Sequence, residues 1–180
     1  MLLVAVLALS LTGCGSGNDD DPTLSSQPDV ASPSAAAPAG GACTSQPPVA
    51  QDVPGTKDLA KKPEIEIPDG PPPCNLVISD LVTGTGAEAI SGKTITVKYV
   101  GVTYATGKEF DASWGGEDFT FPLGGGRVIQ GWDQGFAGMK EGGRRQLVIP
   151  PDLGYGDQGA GGDIPPGATL VFVVDLVKVG

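Results

Sequence analysis

Val128-Ile129-Gln130-Gly131-Trp132-Asp133-Gln134-Gly135-Phe136-Ala137-Gly138-Met139 is the one stretch of this 180-residue chain with a helical apolar spacing. Ile129, Trp132, Phe136 and Met139 recur at three- and four-residue steps, which puts all four on one face of a helix. Gly131, Gly135 and Gly138 weaken that helix, so it must be short and held by packing. Outward from it in both directions the chain alternates at the period of strands instead.

Residues 76–82 read as a strand closed by Gly84-Thr85-Gly86. In 94–102, Ile95, Val97 and Tyr99 share one face, Thr96 and Lys98 the other. Residues 117–122 offer Phe119 and Phe121 two apart, and 143–149 form a strand ended by Pro150-Pro151. The longest strand, 169–179, has Leu170, Phe172, Val174 and Leu176 on one face and Val171, Val173 and Val177 on the other. A strand apolar on both faces belongs in the middle of a sheet. Glu64-Ile65-Glu66-Ile67 predicts a short edge strand, stopped by Pro68 and the Pro71-Pro72-Pro73 run. The sum is an α+β domain: antiparallel strands around one short helix, without internal repeats.

Composition places that domain at 63–180. This part holds all five Phe, both Trp and all three Tyr, whereas 15–62 is rich in Ala, Ser, Pro, Gly and Asp and reads as a disordered linker. Net charge is −10, with 15 acidic against 8 basic side chains in 63–180. The only basic clusters are Lys61-Lys62 and Arg144-Arg145, a linker end and a strand end, so nucleic acid is not an expected partner. The chain contains no histidine, which removes Ser-His-Asp and Cys-His catalysis and the commonest zinc ligand. Three cysteines are too few for a thiolate cluster, and neither a metal nor a cofactor is expected. Gly124-Gly125-Gly126 lacks the Lys-Ser/Thr of a phosphate-binding loop and reads as a turn.

The N-terminus is read by export logic. Residues 1–13 are apolar and uncharged, too short to span a bilayer, and match the apolar core of a secretory signal. Leu11-Thr12-Gly13-Cys14 resembles a bacterial lipobox, which implies a signal peptide over 1–14, a lipidated Cys14 and a tether behind it. No Lys or Arg precedes Cys14, a departure from the usual signal pattern. The expected location is the extracytoplasmic face of a bacterial cell membrane, held by the lipid anchor. Cys43 and Cys74 are left over. In an oxidising compartment they either pair, pinning the linker's end to the domain, or remain free thiols.

Val128-Ile129-Gln130-Gly131-Trp132, with Tyr99, Phe110-Asp111 and Tyr155-Gly156 at their distances from it, describes a small aromatic pocket with almost no acid–base chemistry. Such a pocket suits binding and twisting an amide, not cutting one. Residues 75–180 resemble an FKBP-type peptidyl-prolyl cis-trans isomerase. The resemblance is carried by Val97-Lys98-Tyr99-Val100-Gly101, Gly107-Lys108-Glu109-Phe110-Asp111-Ala112-Ser113, Phe119-Thr120-Phe121-Pro122-Leu123-Gly124 and Arg127-Val128-Ile129-Gln130-Gly131-Trp132. It continues through Ile149-Pro150-Pro151, Gly154-Tyr155-Gly156, Ile164-Pro165-Pro166 and Thr169-Leu170-Val171-Phe172.

The resemblance implies a five- or six-stranded antiparallel sheet half-wrapped around the helix. It implies a pocket with Trp132 as floor, Tyr99, Phe110, Phe119, Tyr155 and Phe172 as walls, and Val128 and Ile129 along the rim. Tyr99, Phe110, Asp111, Tyr155 and Phe172 would be catalytic; Phe119, Val128, Ile129, Trp132 and Ile164 would bind substrate or macrolide. The Ile129 N–H and the Tyr155 hydroxyl would donate to substrate carbonyls, and Ile164 would sit on a closing loop. The implied partners are X–Pro segments of exported polypeptides and macrolides of the tacrolimus and rapamycin type, bound by a monomer. Two departures stand out: Trp114-Gly115-Gly116-Glu117 offers no Arg to pair with the Tyr and Asp, and Gly159-Ala160-Gly161-Gly162-Asp163 is unusually Gly-rich. A binding module that holds Pro-containing partners without turnover is the alternative on the same fold.

Overall fold

The computed structural model describes residues 43–45 and 57–180. The lipobox at Cys14 and most of the 15–62 linker lie outside them. One antiparallel sheet organises the domain. Its strands are β1 (Val77–Val82), β2 (Thr94–Thr103), β3 (Glu109–Ala112), β4 (Phe119–Pro122), β5 (Arg144–Ile149) and β6 (Leu170–Val179), with α1 (Gln130–Gly135) between β4 and β5. The order across the sheet is β1-β5-β6-β2-β3, and β4 also pairs with β2. The sheet is thus six-stranded and β6 lies at its middle, as its two apolar faces require.

Each face of the sheet has its own core. The inner face carries Ile95, Val97, Leu147, Ile149, Phe172, Val174 and Leu176, packed against Trp132, Phe136 and Met139 from α1 and the turn after it. The outer face carries Val100, Val102, Val148 and Val171, covered by Tyr104, Ile65 and Ile67. Residues 64–67 therefore keep their alternation of burial but form no strand, a correction to the edge-strand reading. Pro68, which lacks an N–H, ends the segment there, and its carbonyl accepts the Tyr104 hydroxyl at 3.1 Å.

The helix is also shorter than the 128–139 periodicity suggested. Ile129 is extended (φ −59°, ψ 148°), and Gly138 is left-handed (φ 74°), so the core-facing positions 129 and 139 belong to flanking turns. Two glycines let α1 lie directly on β5. A Cβ at Gly131 would collide with Ile149 Cγ2, and one at Gly135 would sit 2.7 Å from Leu147 Cδ1. The glycines that weaken the helix thus permit the contact that holds it. Val177 departs from the alternation too. The β2–β6 register shifts at Thr96/Val97, leaving Val177 unpaired and 42% exposed, so Val179 returns to the inner face.

The Arg144-Arg145 pair opens β5 and is buried. Arg144, 0% exposed, holds Asp175 with its Nε at 2.5 Å and Nη2 at 2.7 Å. Its other N–H groups donate to the carbonyls of Asp58 (3.2 Å) and Lys61 (3.1 Å), docking the chain ahead of residue 63. Arg145 pairs with Asp80 at 2.6 Å and donates to the Gly135 and Ala137 carbonyls, satisfying the C-terminal end of α1. Cys43 and Cys74 are joined as a disulfide, and Thr44 pairs with Pro73 beside it.

Candidate active site

The site is built where the inner face of the sheet is widest. β2 and β4 pair Val97 with Phe119 and Ile95 with Phe121, which brings both Phe rings to the inner face beside Tyr99. β6 adds Phe172, whose register partners are Gly101 on β2 and Leu147 on β5. β3 supplies two consecutive residues. The β2–β3 register shifts at Gly101/Val102, pairing Val102 with Glu109 and Gly101 with Asp111, so Phe110 is the extra residue of a bulge. Phe110 therefore turns to the inner core while Ala112, two residues on, packs on the outer one. Asp111, opposite Gly101, faces the pocket as well. A flat strand cannot aim two neighbours at one site; the bulge does.

Trp132 is the hub. It is 5% exposed and meets Tyr99, Phe172 and Phe119 edge-on at centroid distances of 5.1, 5.2 and 6.0 Å. Phe110 stands perpendicular to Phe172 at 5.5 Å. The edge of one ring against the face of the next is the arrangement their quadrupoles favour. The indole Nε1 is buried with no acceptor among the described residues. Phe119 and Tyr155 are each 40% exposed and form the open side. Val128 and Ile129 are half-buried against the same core. The Ile129 carbonyl accepts the Trp132 N–H at 2.9 Å, while its own N–H makes no hydrogen bond within the described residues.

One polar group enters this apolar set. The Tyr99 hydroxyl donates to Asp111 Oδ2 at 2.7 Å. Burial, then the hydrogen bond to Asp111, pushes the Tyr99 phenol above its ordinary pKa, and burial with the Asp111 charge does the same for Tyr155. Both phenols are therefore donors, not bases, at neutral pH. Ile164 is 7% exposed and belongs to the core; it exchanges backbone hydrogen bonds with Ala160 across the Gly-rich loop.

Two residues that the sequence reading passed over hold the site in place. Ser113 clamps Tyr99: its Oγ accepts the Tyr99 N–H at 3.0 Å and its own N–H donates to the Tyr99 carbonyl at 3.0 Å. Asp133 accepts the N–H groups of Gly124 (2.8 Å) and Gly126 (3.0 Å), pinning the triple-glycine turn to the start of α1. The signals were present, a Ser two residues past Asp111 and an Asp in the first turn of a helix, but the spacing alone names no partner for either.

Comparison with known proteins agrees with this geometry. Residues 86–177 match the model of the FKBP-type peptidyl-prolyl cis-trans isomerase family. The chain is 57% identical over 121 residues to an FK506-binding protein of Streptomyces anulatus, covering 66% of this chain and 98% of that one. The crystal structure of AtFKBP13 superposes with a TM-score of 0.55 at 41% identity, covering 58% of this chain and 93% of that one. FkpA from Escherichia coli gives a TM-score of 0.53 at 43% identity over 58% of this chain and 47% of its own. With the matched region running from β2 through most of β6 and taking in the bulge and the ring pocket, this chain belongs to the family of FKBP-type peptidyl-prolyl cis-trans isomerases, enzymes that rotate X–Pro amide bonds.

Proposed function

We propose that the ring pocket around Trp132 is where this isomerase rotates its X–Pro bond, with Tyr99, Phe110, Asp111, Tyr155 and Phe172 as the catalytic set. The slow step is loss of amide resonance, a barrier of about 18–20 kcal/mol. The twisted amide is less polar at its carbonyl than the planar one. A dry wall of rings favours it relative to water, and no nucleophile, metal or general acid takes part. The observation that carries this reading is the edge-on packing of Tyr99, Phe119 and Phe172 on a buried Trp132.

The Ile129 N–H, unbonded among the described residues, and the hydroxyl of the 40% exposed Tyr155 would hold the carbonyls flanking the proline, and Asp111 would orient Tyr99. Phe119, Val128 and Ile164 complete the substrate surface. A rate factor of about 10⁵ requires about 7 kcal/mol of preference for the twisted form. Desolvation and two oriented donors are effects of the kind that can supply it. Macrolides such as FK506 and rapamycin would occupy the same pocket.

The clients we propose are exported polypeptides, met at the extracytoplasmic face of a bacterial membrane where a lipidated Cys14 tethers the chain. The apolar run 1–13, the Leu-Thr-Gly-Cys pattern and the Cys43–Cys74 disulfide, which suits an oxidising compartment, support this reading. Tyr155→Phe and Asp111→Leu test the catalytic assignment: turnover of a Leu-Pro peptide should fall while its binding remains. Unchanged turnover in both variants would move the chemistry elsewhere. Cys14→Ser should shift the protein from the membrane to the soluble fraction; retention on the membrane would remove the anchor.

A further inference from the structure

A groove of about 1300 Å³ opens at the end of the sheet where β2 and β5 finish and β6 begins. It runs between residues 67–74, the turn 103–108 and the segment 165–169, and shares none of the ring-pocket residues. Its charge is one-sided. Among the described residues, Asp69, Asp152, Asp157 and Asp163 line it against a single cation, Lys108, whose ammonium is already committed to Asp163 at 2.7 Å. Asp69, Asp152 and Asp157 are exposed and make no ion pair among the described residues. A cleft lined by one sign of charge focuses its field and concentrates the opposite charge.

The walls are rigid. Seven of the lining residues are prolines, which restrict the backbone and offer no N–H donor. The strip 72–74 is fixed by the Cys43–Cys74 disulfide and by hydrogen bonds from the Thr44 N–H to the Pro72 carbonyl (2.8 Å) and from the Cys74 N–H to the Thr44 carbonyl (2.9 Å). The Tyr104 hydroxyl holds Pro68 from below. A preformed site spends little of its binding energy on ordering itself.

We propose that this groove docks an extended segment of a partner polypeptide rich in Lys or Arg. The chemistry that selects it is the uncompensated set Asp69, Asp152 and Asp157 along a donor-poor wall. Asp157 and Pro165 share the 154–168 segment with Tyr155 and Ile164, so a chain held here would touch the segment that carries two ring-pocket residues.

Fluorescence anisotropy of a labelled, proline-free peptide of alternating Lys and Ser tests this on the full chain, with FK506 added to fill the ring pocket. Saturable binding should persist with FK506, weaken with salt, and fall about tenfold in Asp69→Asn/Asp152→Asn/Asp157→Asn. Glu64→Gln/Glu66→Gln/Glu117→Gln, which removes equal charge outside the groove, should bind normally, and a Glu-Ser peptide should not bind. Ala105→Lys, which places a cation in the groove, should also weaken binding and serves if the triple Asn variant proves unfolded. Absence of saturable binding, equal weakening by both triple variants, or release of the peptide by FK506 would each overturn the proposal.

Discussion

Gly101→Ala offers a sharp test of how the pocket is held. Gly101 lies mid-strand on β2, facing inward, and an added Cβ would stand 2.6 Å from Phe172 Cε1 and 2.8 Å from Phe110 Cζ. Carbon atoms are comfortable at about 3.5–4.0 Å, so both rings must retreat by about 1 Å. Overpacking of this kind costs about 1–3 kcal/mol of stability, a fall in Tm of about 4–15 °C for a domain this size. The same 1 Å displaces two proposed walls at once, and misplacement on that scale costs on the order of 10²-fold in rate. Val100→Ala, one residue away on the outer face, should cost comparable stability and no activity, because Val100 packs only in the outer core. The assay is NMR exchange of a Leu-Pro peptide, with thermal unfolding followed in parallel. If Gly101→Ala keeps kcat/KM within about twofold of the parent while unfolding at the lower temperature, Phe110 and Phe172 are not walls of the working site.

Other expectations follow from single contacts. Tyr99→Phe removes the 2.7 Å bond to Asp111 and should lower kcat/KM about five- to tenfold with the fold intact; an unchanged rate would make that bond ornamental. All three phenols are raised, Tyr99, Tyr104 and Tyr155 alike by burial first. The folded state thus holds these protons more tightly than the unfolded chain. The stability they contribute is complete below about pH 10, the ordinary phenol value, and is lost as pH climbs beyond it. Phenolate absorbance of the folded protein should therefore appear above the ordinary phenol range, with Tyr99 last, and ionisation of all three phenols near pH 10 in a still-folded protein would contradict the burial argument. Asp175→Ala strands the buried Arg144 charge and should cost about 3–5 kcal/mol in denaturant unfolding, where a loss below about 1 kcal/mol would show that the pair is not buried in solution.

What the sequence disclosed depended on the length of each pattern. The two ten-residue strands repeat their alternation often enough to fix their faces, and the Thr94–Thr103 face correctly delivered Tyr99 inward. β3 is four residues long, and its bulge reverses the alternation at Phe110, so no periodicity could find it. Phe110 and Asp111 were legible only through the resemblance. Phe136 and Met139 kept the helical spacing because they pack under the sheet, although the helix had already ended at Gly135. Composition divided the chain near residue 63, but Asp58 and Lys61 dock through backbone carbonyls, which are indifferent to side-chain type. The groove beyond β2 was invisible for a similar reason: its acids come from two distant connections, Asp69 ahead of β1 and Asp152, Asp157 and Asp163 between β5 and β6, that only the fold brings together.

The central claim is that the Trp132 pocket rotates the amide. The direct measurement is the cis–trans exchange rate of a Leu-Pro peptide with the full chain present, as FK506 is titrated in. The account predicts accelerated exchange that returns to the uncatalysed rate once one equivalent of FK506 is bound. Acceleration that survives a filled pocket, or no acceleration from the folded chain, would contradict it.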